Sequence, residues 1–309
     1  MTTPLKLAFE EAMHHHNFHP EYHETENSEA GRRMQLPFTT AHQFDIRSTS
    51  IWELFDPANG DIKTAPFNSA VKDISIEKAL LQRSVAAKLG AVMIFGTHEP
   101  DEITERGLPT FSSYPINFSV FRPAPMVEVI SGDVIPISDV PFCRSTIDSD
   151  NTEIVAFATR IPRWISSVPG QTHLLDEAMR SLVAGIAQAM DRKIIETIKA
   201  APLSAFSIQS AIAQGLQYES LGAVSSASAT GLYIDQLGKL RTKSGIMTSV
   251  SDQFTGIGSI VGAWNRVALF VDPEVAVHLT NDKDGSIVLT TIIYVKALLP
   301  DPSLFWSEL

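Results

Sequence analysis

The sequence predicts an α+β fold, and three observations carry that prediction. Residues 171–199 contain no proline and repeat apolar side chains at three- and four-residue spacing, the pattern of a long helix. Residues 108–160 carry Pro109, Pro115, Pro123, Pro125, Pro136 and Pro141 among Ser, Thr, Val and Ile, which excludes helix over most of that stretch. Residues 267–271 and 287–296 are short β-branched runs that read as strands. Helix and strand are segregated along the chain, which favours α+β architecture.

Each element follows in order. Thr3 and Pro4 suit the cap and first position of a helix, with Leu5, Ala8, Phe9, Ala12 and Met13 on one face. Residues 14–33 are nearly devoid of aliphatic side chains and read as a solvated arm, or one ordered only by another subunit. Ile76, Leu80, Leu81, Val85 and Leu89 recur at helical spacing and stop at Gly90, so a short helix is expected there. Residues 91–95 form an apolar run that fits a buried strand, and residues 96–107 are polar and turn-forming. Residues 117–121, 126–130 and 152–159 read as strands of one long two-stranded excursion, with a turn at Ser131, Gly132 and Asp133.

The long helix over 171–199 follows, with Leu174, Leu175, Ala178, Leu182, Ile186, Met190, Ile194 and Ile198 on one side and Asp176, Arg180, Gln188, Asp191 and Arg192 on the other. It would run roughly 40 Å, long enough for a strut. Pro202 ends it. Residues 207–222 and 233–240 read as shorter helices separated by a small-residue loop over 223–231, and the Gly- and Ser-rich stretch 245–262 reads as loop.

Composition bounds the function. With 309 residues, 44% hydrophobic and 19% charged, the chain can bury a substantial core as one large domain or two small ones. A formal net charge of -11 disfavours a protein built to grip phosphate backbones. Cys143 is the single cysteine, so neither an intrachain disulfide nor a multi-cysteine metal site is available, and a reducing cytoplasm is the simplest compartment. No stretch approaches the roughly 20 apolar residues that span a bilayer. The N-terminus lacks the basic-then-apolar order of a secretory signal, so a soluble chain with no membrane partner is expected.

Catalytic patterns are weak. The glycines Gly256, Gly258 and Gly262 mimic a nucleotide-binding loop, but no apolar strand precedes them and no Lys-Ser/Thr follows, so a surface loop is the preferred reading. His14, His15, His16, His19 and His23 include pairs four apart that could share a metal, yet nothing nearby would hold them rigid; a polar arm without a metal site is preferred. No serine sits in a Gly-x-Ser-x-Gly elbow, and His173 with Asp176 fits a helix start better than a triad. Neither an enzyme nor a cofactor is expected.

The run Ala79-Leu80-Leu81-Gln82-Arg83-Ser84-Val85-Ala86-Ala87-Lys88-Leu89-Gly90-Ala91 resembles the helix that leads into the first strand of Hong Kong 97-like major capsid proteins of tailed bacteriophages. Val127-Glu128-Val129-Ile130-Ser131-Gly132-Asp133-Val134-Ile135-Pro136-Ile137-Ser138-Asp139-Val140-Pro141-Phe142 is similar to the extended-loop texture of that family, with Val127 and Ser131 in place of the usual Trp and Glu. Ile161-Pro162-Arg163 departs from the family's Ile-Ser-Arg-like sequence by a proline. Ala189-Met190-Asp191-Arg192-Lys193-Ile194-Ile195 is similar to the end of its spine helix, where an Asp precedes an apolar pair. The resemblance covers residues 75–201 well and 207–309 loosely.

The resemblance implies an N-terminal arm (1–65), a peripheral domain (66–107, 161–202 and 271–309) with its spine helix at 171–199, an extended loop (108–160) and an axial domain (203–270). It further implies that residues 286–296 return as a long peripheral strand and that 301–309 finish beside it. The implied function is a shell subunit assembling with itself into hexamers and pentamers of an icosahedral head in the host cytoplasm. That head encloses double-stranded DNA without sequence-specific binding, and decoration or cement protein, scaffold and portal are further partners.

Loop contacts to a neighbour are expected from Phe118, Phe121, Val127, Ile130, Ile135, Ile137 and Phe142, and the spine helix would pack through Leu175, Leu182, Ile186, Met190 and Ile194. No lysine lies between Lys88 and Lys193, so the loop has no nucleophile for the Lys-to-Asn isopeptide bond that welds some family members. Rival readings are an encapsulin-like nanocompartment shell, a soluble α+β enzyme with residues 108–160 as a lid, and a tail or adaptor component of the virion.

Overall fold

The structure, a computed structural model, describes residues 22–23, 34–35, 39–47, 50–51, 74–96, 101–103, 109–110, 116–124, 126–128, 137, 139–147, 152–162, 172–256, 258–281 and 286–308. The arm helix expected at 3–13 and the histidines His14, His15, His16 and His19 lie outside these residues.

Strand β1 (Tyr22–His23) pairs with β2 (Met34–Gln35), β3 spans Thr39–Asp45, and β4 (Ser50–Ile51) pairs with β5 (Ile74–Ser75). The sequence predicts one helix from 76 to 89; the structure has two, α1 (Ile76–Arg83) and α2 (Val85–Lys88). The break falls at Ser84, whose hydroxyl accepts the Ala87 N–H at 3.0 Å and so starts a second helix. α2 stops at Gly90 as expected, the Gly90 N–H returning to the Ala87 carbonyl at 2.9 Å. β6 (Val92–Phe95) matches the expected buried run only in part, since Val92 is exposed.

Within the polar stretch after it, β7 (Asp101–Ile103) pairs with β8 (Pro109–Thr110). β9 (Ile116–Phe121) pairs antiparallel with β10 (Phe142–Ile147), whereas the expected return strand, β11 (Glu153–Ile161), pairs with a later strand. The two-stranded excursion therefore closes at Ile147. Met126, Val127 and Glu128, expected to open a strand, form none; Pro123 just upstream and Pro125 remove ladder donors there.

The long helix is α3 (Thr172–Ala200), within a residue of expectation at each end. After β12 (Ser204–Ala205), the helix expected over 207–222 shortens to α4 (Ile208–Ala213), capped by a reciprocal Ser207 and Ser210 box and followed by a 3₁₀ turn at Tyr218–Ser220. The remaining elements are β13 (Gly222–Ser225), β14 (Tyr233–Ile234), β15 (Leu240–Arg241), β16 (Thr248–Val250), β17 (Ser259–Gly262), β18 (Ala268–Val271), β19 (Glu274–Asn281), β20 (Ile287–Leu298) and β21 (Phe305–Glu308).

Three expectations fail in this half. Residues 233–240 are a hairpin, not a helix, because the Asp235 carboxylate accepts the N–H groups of Leu237 and Lys239, each at 2.9 Å, and Gly238 takes φ +75°. The small-residue loop at 223–231 begins as the buried strand β13. The Gly- and Ser-rich stretch at 245–262 holds β16 and the fully buried β17. A strand covered on both faces has no alternation for the sequence to display.

The chain forms two compact units: residues 1–83, 153–187 and 271–295, and residues 84–152, 188–270 and 296–309. In the first, β3, β19, β20 and β11 follow one another as antiparallel neighbours, and β20 is the expected long strand. In the second, a mixed five-stranded sheet runs β12, β21, β17, β13, β16, parallel at its two outer pairings and antiparallel between. Phe305–Glu308, expected to finish beside residues 286–296, instead lie between β12 and β17. One face of this sheet buries Ala211, Leu221, Ala223, Ile246, Val261 and Trp306. Close to Gly262, Trp264 and Phe305 meet edge to face at 5.8 Å, and the Trp264 indole N–H donates to the Gly222 carbonyl at 3.0 Å.

Candidate functional site

Three features of the second unit expose or fix side chains beyond what its core requires. The first joins the start of α2 to the far half of α3. Asp191 is 3% exposed, and its carboxylate accepts the Ser84 hydroxyl at 2.6 Å, the Val85 N–H at 2.8 Å and the Ala86 N–H at 3.0 Å. These are donors that a helix start leaves unpaired, and a carboxylate there also meets the positive end of the helix dipole. Burial pushes the Asp191 carboxyl above its ordinary range, opposed by the hydrogen bonds from Ser84, Ala86 and Val85 and by the charge of Lys88.

The second feature is the β9–β10 hairpin with its connecting segment. Its root is fixed. The Arg122 guanidinium pairs with Asp301, Nε donating to Oδ2 at 2.8 Å; the Arg122 backbone N–H donates to the Pro141 carbonyl at 2.8 Å; and Arg266 donates to the Phe121 carbonyl at 3.3 Å. Asp301 also caps the 3₁₀ turn after it, accepting the Ser303 hydroxyl at 2.6 Å. Its burial raises the carboxyl, but the hydrogen bonds from Ser303 and Arg122 and the Arg122 charge outweigh this and hold it below the usual carboxylate range.

Above that root, apolar side chains face solvent. Phe121 is 63% exposed, Met126 91%, Ile137 100% and Val140 67%, with Val127 and Phe142 also exposed. Phe121 and Phe142 are register partners with ring centroids 6.0 Å apart, and the Arg144 guanidinium lies 5.3 Å from the Phe142 ring centre. Phe118, expected among the outward contacts, differs: it packs half-buried against Ile147, Ala268, Phe270 and Leu298 of its own chain. Ile130 and Ile135 lie outside the described residues.

Of the spine-helix residues, Leu182, Ile186, Met190 and Ile194 are buried, the last two fully. Leu175 lies on α3, and its side chain is outside the described residues, as are those of His173 and Asp176.

The third feature was not legible as a surface in the sequence. α4 turns Ile208 and Ile212 outward while Ala211 enters the core, and the β14–β15 hairpin carries Ile234 and Leu237 into solvent. The four-residue spacing of Ile208 and Ile212 marks a helix face, but it reads equally as a core face until the fold shows which side is covered. Arg122 and Asp301, 179 positions apart, carried no signal at all.

Of the glycine-rich run at 256–262, Gly256 is exposed in a bend outside the strands, as a surface loop would have it, whereas Ser259 to Gly262 are buried and pair on both sides, with β13 and β21. Cys143 is a half-buried free thiol on β10. Among the described residues no group of three or more His, Cys, Asp or Glu is placed to hold a metal, and no helix is long and apolar enough to cross a membrane.

No family model matches the chain, and no curated protein matches it. Among solved structures, the chain is similar to one from the asymmetric unit of the bacteriophage PhiM1 mature capsid, at 11% identity, covering 85% of this chain and 96% of that one with a TM-score of 0.44. It is also similar to a chain from the capsid of an empty GTA particle, at 9% identity, 80% and 94% coverage and a TM-score of 0.47. A chain from Mycobacterium phage Che8 matches at 10% identity, 64% and 85% coverage and a TM-score of 0.45.

Proposed function

We propose that this chain is the major capsid subunit of a tailed bacteriophage, assembling with copies of itself into the hexamers and pentamers of an icosahedral head around the genome, without a Lys-Asn crosslink. The observation that carries the reading is the fixed root and apolar outer part of residues 116–147. Arg122 and Asp301 hold the base of the loop, while Phe121, Met126, Val127, Ile137, Val140 and Phe142 remain exposed. At about 2 kcal/mol for each large apolar side chain fully buried, six give at most roughly 12 kcal/mol of gross attraction. That is comparable with the roughly 4–15 kcal/mol that association costs in lost freedom. A single such contact is therefore marginal, and many repeated contacts in a closed shell are what make it stable.

The ordered series of family-like segments supports the same reading, and two of its members meet in space: Ser84 in the helix-to-strand run and Asp191 at the spine-helix end. The net charge of -11 suits a container whose inner surface must release DNA. The absence of lysine from residues 89–192 supports a shell without that covalent crosslink, held by burial and by decoration protein.

Negative-stain electron microscopy and sedimentation of the purified protein test the proposal. Closed shells or capsomer rings are expected, and Ile137→Asp, at a fully exposed position, should abolish them while leaving a folded subunit. A stable monomer at every concentration and salt condition overturns it.

A further inference from the structure

Two apolar features of the second unit face solvent, one a cleft and the other a hairpin tip. One is a groove between α4 and the turn at Tyr218–Ser220, a cleft of about 500 Å³ lined by Ile208, Ile212, Leu216 and Tyr218 over a floor that includes Ala211 and Leu221. Ile212 is 66% exposed at its edge. The other is a knob, the β14–β15 hairpin, where Ile234 is 70% and Leu237 79% exposed.

The knob is built to stay extended. Asp235 accepts the Leu237 and Lys239 N–H groups and the Arg241 Nε at 2.6 Å, and Arg241 also donates to the Gly245 carbonyl at 2.8 Å. The hydrogen bonds from Lys239, Arg241 and Leu237, with the Arg241 charge, hold the Asp235 carboxyl below its usual range. A turn so fixed cannot fold Leu237 back onto its own chain, so its apolar surface is satisfied only from outside. Charges match as well: Glu219 is exposed beside the groove and Lys239 is exposed beside the knob.

We infer that the Ile234 and Leu237 knob of one copy of this chain seats in the Ile208, Ile212 and Tyr218 groove of a second copy, with Lys239 set against Glu219. Knob and groove are different patches, so a contact that is not reciprocated runs head-to-tail, propagates and closes into a ring, whereas a reciprocal pair, each knob in the other copy's groove, stops as a two-fold dimer. The inference rests on the self-assembly reading above and names one contact that builds the ring.

The test places one cysteine on each side in a chain lacking its own thiol: Cys143→Ser with Ile212→Cys and Leu237→Cys, assembled and then oxidised. A non-reducing denaturing gel should show a ladder from dimer to ring, absent from either single-cysteine chain. No band above monomer, a product that stops at dimer, or a dimer from Leu237→Cys alone overturns the inference. Electron microscopy of the same sample separates the two failures: shells without the ladder sink this contact and leave the shell reading standing, whereas no oligomer of any kind sinks both.

A second experiment does not depend on oxidation. Leu237→Asp and Ile212→Asp should each stop assembly, and mixing the two should give discrete dimers, since one intact knob and one intact groove remain. Recovery of assembly in the Glu219→Lys, Lys239→Glu double variant, with each single variant impaired at least tenfold in critical concentration, supports the charge pairing; equal impairment of all three overturns it.

Discussion

Asp191 and Ser84, 107 positions apart, share a 2.6 Å hydrogen bond in which a carboxylate on α3 starts the helix α2. Removing that carboxylate orphans the Ser84 hydroxyl and the Val85 and Ala86 N–H groups together. Asp191→Ala should therefore cost about 2–4 kcal/mol, and Asp191→Asn, which keeps one acceptor oxygen, should cost less. Urea unfolding of the unassembled subunit reads both, and an Ala variant within 0.5 kcal/mol of the parent, roughly the scatter of neutral surface changes, contradicts the assignment.

The pH dependence of Asp191 and Asp301 should have opposite signs. A carboxyl raised in the folded state, as at Asp191, contributes stability fully present below the ordinary value of about 4, and that contribution is lost as pH rises through the raised value. One lowered in the folded state, as at Asp301, contributes stability present above the ordinary value and lost as pH falls through the lowered one. On acidification the parent should gain on Asp191→Asn and lose its advantage over Asp301→Asn. Urea midpoints measured from neutral pH down through the carboxylate range check both slopes.

Gly262 has no room for a side chain. A Cβ there would stand 2.2 Å from the Phe305 ring and 2.9 Å from the Leu304 carbonyl, inside a buried strand. Gly262→Ala should destabilise the second unit by about 3 kcal/mol. Gly222→Ala should cost less, since its Cβ meets only the Leu89 and Trp264 side chains, each at 3.1 Å. Thermal melts of the two variants should rank in that order.

Arg122→Ala takes a charge-assisted donor from Asp301, whose side chain is 5% exposed, and frees the loop root. The guanidinium is partly solvated, so the stability loss should be modest, about 1 kcal/mol. Assembly should suffer more than folding, because the exposed residues above the root lose their fixed presentation. Sedimentation at matched folded fraction separates the two effects.

Mature particles boiled in detergent should migrate as single chains, since residues 89–192 offer no lysine for an isopeptide bond. A covalent ladder on a denaturing gel under reducing conditions would contradict this.

The long helix, the proline-rich excursion and the strand at Ile287–Leu298 were legible in the sequence because each has a local cause: a 3.6-residue repeat, missing amide donors, or a run of β-branched side chains. The hairpin at Tyr233–Arg241 was misread because Tyr, Ile and Leu at three- and four-residue spacing imitate a helix face. Only the Asp235 side chain, bonding its own backbone, decides against it. The buried strands Gly222–Ser225 and Ser259–Gly262 were hidden by composition, since small residues signal loop until Trp264 and Phe305 are seen to need the space.

The sequence by itself determined the α+β class, the position of the long helix and a loop without lysine, all properties of neighbouring residues or of composition. The tertiary structure alone decided that Asp191 caps the helix at Ser84, that Arg122 anchors to Asp301, that Phe118 turns inward and that Leu237 turns outward. Those four depend on which distant segments share a desolvated site, and burial is what makes such pairings strong and a lone apolar group in water costly.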